Sequence, residues 1–172
     1  HGHLHYGENK VQETIEKWTD IKNEKHKIQL HLIGRLQTNK VKLALKIFDY
    51  IHSLDSERLA IKISEEQKKQ EKNIKIFIQV NIGNEDQKSG INKDNLIDFY
   101  KFCKNLNLDI IGTMCIPPND SNTEKYFAEM SDLNKELNFK ELSMGMSGDY
   151  LEAIKYNATY VRVGSKIFGN RS

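Results

Sequence analysis

Short apolar runs alternate along this chain with longer segments whose apolar residues recur every three or four positions, and small or polar residues mark each change. The runs predict strands and the periodic segments predict helices. HLHYGEN opens the series, with Leu4 and Tyr6 on one parity and His3, His5 and Gly7 on the other. A helix follows from Asn9 to Trp18, where Val11, Ile15 and Trp18 fall at helical spacing. Gln29 to Gly34 predicts the second strand, and the segment after it carries an apolar face of Leu36, Val41, Leu45 and Phe48. YIHSLD is the third strand, and Ser56 is placed to cap the helix that begins ERLAIKISEEQKK. Ile74 to Val80 is nearly continuous in apolar residues, the mark of a strand covered on both faces. The polar loop NEDQKSGI carries Lys88 and Gly90 and leads to a helix started by Asn92. A fifth strand runs from Asp109 and is closed by Pro117 and Pro118, which cannot extend a ladder; Ser121 or Asn122 then opens a helix through Leu137.

The last third repeats one unit twice. Leu142 to Ser147 runs into Gly148 and Asp149, and Tyr160 to Val163 runs into Gly164 and Ser165. Glycine lets a backbone approach a ligand closely, and serine hydroxyls with the amides of a new helix favour an anion. The pair predicts one phosphate cup; tight turns with no ligand are the alternative. Arg162 alternates with Val161 and Val163, so its side chain points to the face opposite theirs, toward the cup.

Seven strand-and-helix units without a Pro/Gly/Ser-rich linker predict an α/β fold with parallel strands, in a chain of 172 residues long enough for one domain with a real core. The pattern alone does not separate an open sheet from a barrel. A phosphate cup in the last two units favours a barrel, although a (β/α)8 barrel has eight units and usually exceeds about 200 residues. The expectation is therefore a TIM-type barrel in which the first β/α unit is absent from the chain. A net charge of +2 calls for neither nucleic acid nor an anionic membrane, and no apolar stretch approaches the roughly 20 residues of a membrane span. The Lys-rich run from Lys68 to Lys75 reads as a solvated helix end. Cys103 and Cys115, without CxxC spacing, read as reduced and mostly buried thiols of a cytoplasmic protein. The alternating histidines that open the chain have no acidic partner nearby in sequence and read as strand residues rather than metal ligands.

HYGENKVQE, HLIGRLQTNK, IHSLD, VNIGNEDQKSGI, GTMCIPP, LSMGMSGD and VRVGSKIFG, in this order and over nearly the whole chain, resemble the pyridoxal phosphate homeostasis protein family of the YggS/PROSC type. Its relatives include the barrel domain of alanine racemase. The resemblance implies a barrel that binds pyridoxal 5'-phosphate at the C-terminal ends of its strands, in a protein that carries or regulates the cofactor pool without an established turnover. It implies that Ser147 with the backbone of the SMGMS turn, and Gly164 with Ser165, hold the phosphate, that Ser143 and Gly145 of that segment belong to the cofactor site, and that Arg162 faces the pyridine nitrogen. Asn9, His31, Ser53 and Met114 match positions lining the ring or its mouth.

One family feature has no counterpart. The cofactor lysine of the family sits on the first strand, in a segment resembling AVSKT, and this sequence has no such segment upstream of its GEN motif. The expectation is that the missing strand and the missing lysine are one absence, that Lys40, Lys88 and Lys166 do not replace it, and that the exposed barrel edge favours self-association. Three function classes stand at this point: a cofactor-binding protein of the family type, an amino-acid racemase-like enzyme, and a barrel for another phosphorylated metabolite.

Overall fold

In the computed structural model, which describes residues 2–169 except 26 and 86, strands and helices alternate from end to end. The order is β1 (His5–Glu8), α1 (Val11–Glu24), β2 (Gln29–Leu32), α2 (Val41–Ile47), β3 (Tyr50–Leu54), α3 (Glu57–Gln70), β4 (Lys75–Asn81), β5 (Ile91–Asn92), α4 (Leu96–Asn105), β6 (Asp109–Met114), α5 (Thr123–Glu136), β7 (Glu141–Met146), α6 (Tyr150–Lys155), β8 (Tyr160–Arg162) and α7 (Ser165–Phe168). The sheet follows the chain as β1-β2-β3-β4-β6-β7-β8, and every neighbouring pair is parallel. The two-residue β5, inside the loop after β4, adds a short parallel pairing of Val80 with Ile91 that the sequence pattern does not announce.

The sheet curls until side chains from opposite walls meet. His52 on β3 reaches Ser143 on β7 at 2.9 Å, and the rings of His5 on β1 and Tyr160 on β8 lie 6.3 Å apart. Among the described residues no ladder joins β1 to β8. The result is a nearly closed, parallel-strand barrel with helices outside, the TIM-type fold expected once the two C-terminal turns and the family resemblance are added to the alternation.

Strand parity divides the apolar residues between two cores. On β4, Ile76, Ile78 and Val80 face the helices, while Phe77 joins Tyr50 and Met114 in a separate interior cluster, with Ile111 and Tyr160 against it. That division explains the unbroken apolar run: both faces of β4 are covered. Each fully buried side chain of this size contributes about 1.5–3 kcal/mol. Leu36, Val41, Leu45 and Phe48 are buried, so the predicted apolar face is the one that packs.

Several boundaries and caps differ from expectation. The first strand starts at His5 rather than Leu4, and α1 continues past Trp18 to Glu24. Ser56 stands at the N-cap of α3, but its hydroxyl donates to Asp55 Oδ1 and makes no cap bond. Asn92 does cap, but it caps the 3-10 turn Lys93–Asn95 that leads into α4, accepting from the Asp94 amide at 2.9 Å. Within the Lys-rich run, Lys72 is not simply solvated: its amine donates to the carbonyls of Leu45 and Lys46, at 3.0 and 3.2 Å, and closes the end of α2.

Candidate functional site

Parity along β8 sends Tyr160 and Arg162 into the barrel and Val161 outward, where it is exposed. The Arg162 guanidinium donates through Nη1 to Ser143 Oγ at 2.7 Å and through Nη2 to the Cys115 carbonyl at 2.8 Å. Two fixed bonds hold its plane. Burial pushes its pKa down, while the neighbouring Cys115 and Asp149 act the other way.

Behind Arg162 the interior wall is built of imidazoles. Ser143 Oγ lies 2.9 Å from His52 Nδ1, His52 Nε2 lies 2.9 Å from His31 Nδ1, and His31 Nε2 lies 2.9 Å from His5 Nδ1. His31 stacks on Tyr50 with centroids 4.0 Å apart, and His52 stacks on Phe77 at 4.2 Å. Burial, assisted by the positive charge His5 and Lys75 would bring, pushes His31 down to about 3. Burial and then His31 and Arg162 hold His52 well below the ordinary histidine range. Both rings are neutral at pH 7. His52, His5, Tyr50 and Tyr160 were not singled out from sequence as site residues; the signal available was strand parity, which puts Tyr50 and His52 on one face of YIHSLD.

At the C-terminal ends of β7 and β8 the two turns are joined. The Gly164 amide donates to Ser147 Oγ at 3.1 Å, across from one turn to the other. Asp149 Oδ1 accepts from the Met146 amide at 2.6 Å and fixes the first turn. A side chain at Gly148 or Gly164 would meet nothing within 4 Å, so both turns are open on that side. Gly145 differs. Its φ is +92°, and a Cβ there would sit 2.6 Å from Ala153 Cβ, so this glycine is required by the packing of α6. Ser165 is exposed and opens α7, whose first amides have no intrahelical acceptor.

The structure thus brings His31, Ser143 and Arg162 into one bonded set, and Ser147, Gly164 and Ser165 into the two adjoining turns. Met114 is fully buried in the interior cluster with Tyr50 and Phe77. Ser53 is 1% exposed, and its hydroxyl has no hydrogen-bond partner among the described residues. Asn9 lies exposed just beyond β1, and a Cβ at Gly34 would fall 2.2 Å from its carbonyl oxygen, which accounts for that glycine.

Two of the lysines named from sequence are engaged elsewhere. Lys88 pairs with Glu85 and donates to the Pro117 carbonyl at 3.5 Å, and Lys166 lies over the Tyr150 ring at 4.9 Å. Lys40 ends a single 3-10 turn before α2. Cys103 and Cys115 are free, and burial pushes both thiols up to about 12, so neither is a thiolate near neutral pH. Among the described residues no cluster of three or more His, Cys, Asp or Glu could hold a metal ion, and no helix is long and apolar enough to cross a membrane. His1 lies outside the described residues. Two external grooves, of 650 and 540 Å³, border α5; neither is lined by Arg162 or His31.

The chain matches the family described as alanine racemase, N-terminal domain, over residues 1–172. It is 39% identical over 176 residues to the pyridoxal phosphate homeostasis protein of Aquifex aeolicus, covering 96% of this chain and 76% of that protein. Identity to the protein of the same name from Pasteurella multocida is 37%, covering 99% and 78%. Among solved structures, PipY of Synechococcus elongatus with PLP bound superposes with a TM-score of 0.89 at 33% identity, over 98% of this chain and 82% of PipY. An alanine racemase from Clostridium difficile gives a TM-score of 0.74 at 15% identity, covering 98% and 45%, which shows the fold alone. By sequence match and by fold together, the chain belongs to the alanine racemase N-terminal domain family and, within it, to the pyridoxal phosphate homeostasis proteins.

Proposed function

We propose that this chain binds pyridoxal 5'-phosphate and serves its intracellular homeostasis as a carrier or regulator of the cofactor pool. The observation that carries the reading is the half-buried guanidinium of Arg162, held by Ser143 and Cys115 beside two open turns that are bonded to each other. The PLP-bound PipY structure and the names of the curated relatives support the choice of ligand. The residues present also fit the group. Ser53 is a buried hydroxyl without a protein partner, and Gly148 and Gly164 leave space that no side chain fills.

In this reading Ser147, Gly164 and Ser165 take the phosphate, with Gly145 shaping the turn through its backbone. Arg162 faces the pyridine nitrogen, and Asn9, His31, Ser53, Met114 and Ser143 line the ring and its mouth. A cation at the ring nitrogen opposes protonation there, because two positive charges in a buried site repel. When bound, the cofactor supplies an aldehyde that reacts with amines. Lys88 and Lys166 are held in other contacts and Lys40 stands in the turn before α2, so in this reading the hold exerted by residues 1–172 is noncovalent. The two buried, unpaired thiols support a cytoplasmic setting. Among the described residues β1 and β8 have no ladder on their outer edges, which supports self-association of residues 1–172, and sedimentation across a concentration series would read it.

Absorbance spectra with added pyridoxal phosphate, before and after borohydride, test this reading. A saturable spectral change that borohydride does not fix to the chain is the expected result. No saturable change would turn the assignment toward another phosphorylated ligand, and a stoichiometric reduced adduct on one lysine of residues 1–172 would overturn the noncovalent hold.

A further inference from the structure

The imidazole wall has a direction, and Arg162 sets it. Arginine carries only donors, so Ser143 Oγ is the acceptor in its 2.7 Å bond to Arg162 Nη1. Ser143 is fully buried, and among the described residues the other polar contact of its hydroxyl is His52 Nδ1 at 2.9 Å. A buried hydroxyl keeps its hydrogen paired, so the Ser143 hydrogen goes to His52 Nδ1. His52 then carries its own hydrogen on Nε2 and donates it to His31 Nδ1, 2.9 Å away. His31 in turn carries Nε2–H and donates to His5 Nδ1, also at 2.9 Å. Each contact has one donor and one acceptor in this arrangement. In the reverse arrangement Ser143 Oγ would accept from both Arg162 and His52, and its own hydrogen would have no partner among these contacts.

We propose that Arg162 fixes one proton direction through the chain Ser143–His52–His31–His5, and that His52 and His31 are positioning residues holding Ser143 Oγ, and through it the guanidinium, for a ligand. With that direction fixed, a second proton on His31 would set its Nδ1–H against the His52 Nε2–H, and one on His52 would set its Nδ1–H against the Ser143 hydroxyl hydrogen, which is why these two rings are held neutral. Because the Ser143 hydrogen is committed to His52, this side of the site offers a ligand only the remaining N–H groups of Arg162. It therefore selects a ligand atom that accepts. That consequence for specificity rests on the cofactor reading above; the proton direction itself does not.

Nitrogen-15 spectra of histidine-labelled, cofactor-free protein at neutral pH test the proposal, since the two neutral tautomers have distinct ring-nitrogen shifts. The expected result is the Nε2–H tautomer at His52, His31 and His5. In Arg162→Met, Ser143 Oγ is no longer bound to accept, and the signals of His52 and His31 move to values averaged over both tautomers. The Nδ1–H tautomer at His52 in the parent, or an unchanged pure Nε2–H pattern in Arg162→Met, would overturn the proposal. Should Arg162→Met fail to fold, the parent spectrum decides alone. Cofactor titration is a separate measurement, so a protein that shows the tautomers without binding pyridoxal phosphate would refute the ligand and leave the proton direction standing.

Discussion

The histidine wall and the rim formed by the turns after β7 and β8 belong to one sheet and are built on opposite terms. At the centre of the wall the ring nitrogens of His31 and His52 and the Ser143 hydroxyl all have partners, and both rings are stacked: His31 and His52 are 4% and 1% exposed. On the rim, Ile167 and Phe168 of α7 are 67% and 81% exposed, and Gly164 has open space where a side chain would stand. The wall is satisfied by the protein itself, whereas the rim has capacity left over. A binding site assembled from both has a rigid back and an unsaturated front, and only the front should respond to a ligand.

The sharpest way to break that contrast is His52→Ala. It removes a buried ring and strips Ser143 and His31 of their partners, so stability should fall by about 4 kcal/mol, read by urea denaturation. A loss below about 1 kcal/mol would mean that the wall is not a tightly coupled unit. Ser165→Asp acts on the rim instead. A carboxylate set against the phosphate should weaken pyridoxal phosphate binding about 100-fold, near 2.7 kcal/mol, with the thermal midpoint unmoved. Unchanged affinity would remove Ser165 from the site.

Acid should act on the wall. The folded pKa of His31 is lowered to about 3 and that of His52 is lowered as well, so the unfolded chain binds more protons than the folded one below about 6.5. Stability is therefore fully present above that pH and is lost as pH falls toward 3, by up to about 1.4 kcal/mol per pH unit for each ring. The groups facing the pair are His5, Tyr50, Lys75, Tyr160 and Arg162, and their charge opposes protonation or is absent in this range. Denaturation midpoints between pH 7 and 4 that do not move would contradict the neutral wall. The smallest effect belongs to Ser147→Ala, which removes the bond between the two turns; an exposed bond of this kind is worth about 0.5–1 kcal/mol, visible as a small drop in thermal midpoint.

Much of the architecture was legible because period and punctuation carry it. β3 and β4 fall where the apolar runs of YIHSL and KIFIQVN place them, and Arg162 points inward because parity on a strand admits only two faces. The turns holding Ser147, Gly164 and Ser165 were legible through their small residues and through the resemblance of LSMGMS and VRVGSKIFG to a family. The histidine chain was not, because its members come from β1, β2, β3 and β7, and bonds between them depend on how far the sheet curls. Sequence spacing holds no record of that curvature. Ser56 misled for a local reason: a hydroxyl at an N-cap can bond the adjacent Asp55 instead of the helix amides.

The most direct test of the account is a crystal structure of the protein grown with pyridoxal phosphate. The phosphate should lie within hydrogen-bond distance of Ser147, Gly164 or Ser165, with the ring nitrogen toward Arg162. A cofactor bound elsewhere, for instance in the groove between Lys93 and Lys125 outside the barrel, would contradict it.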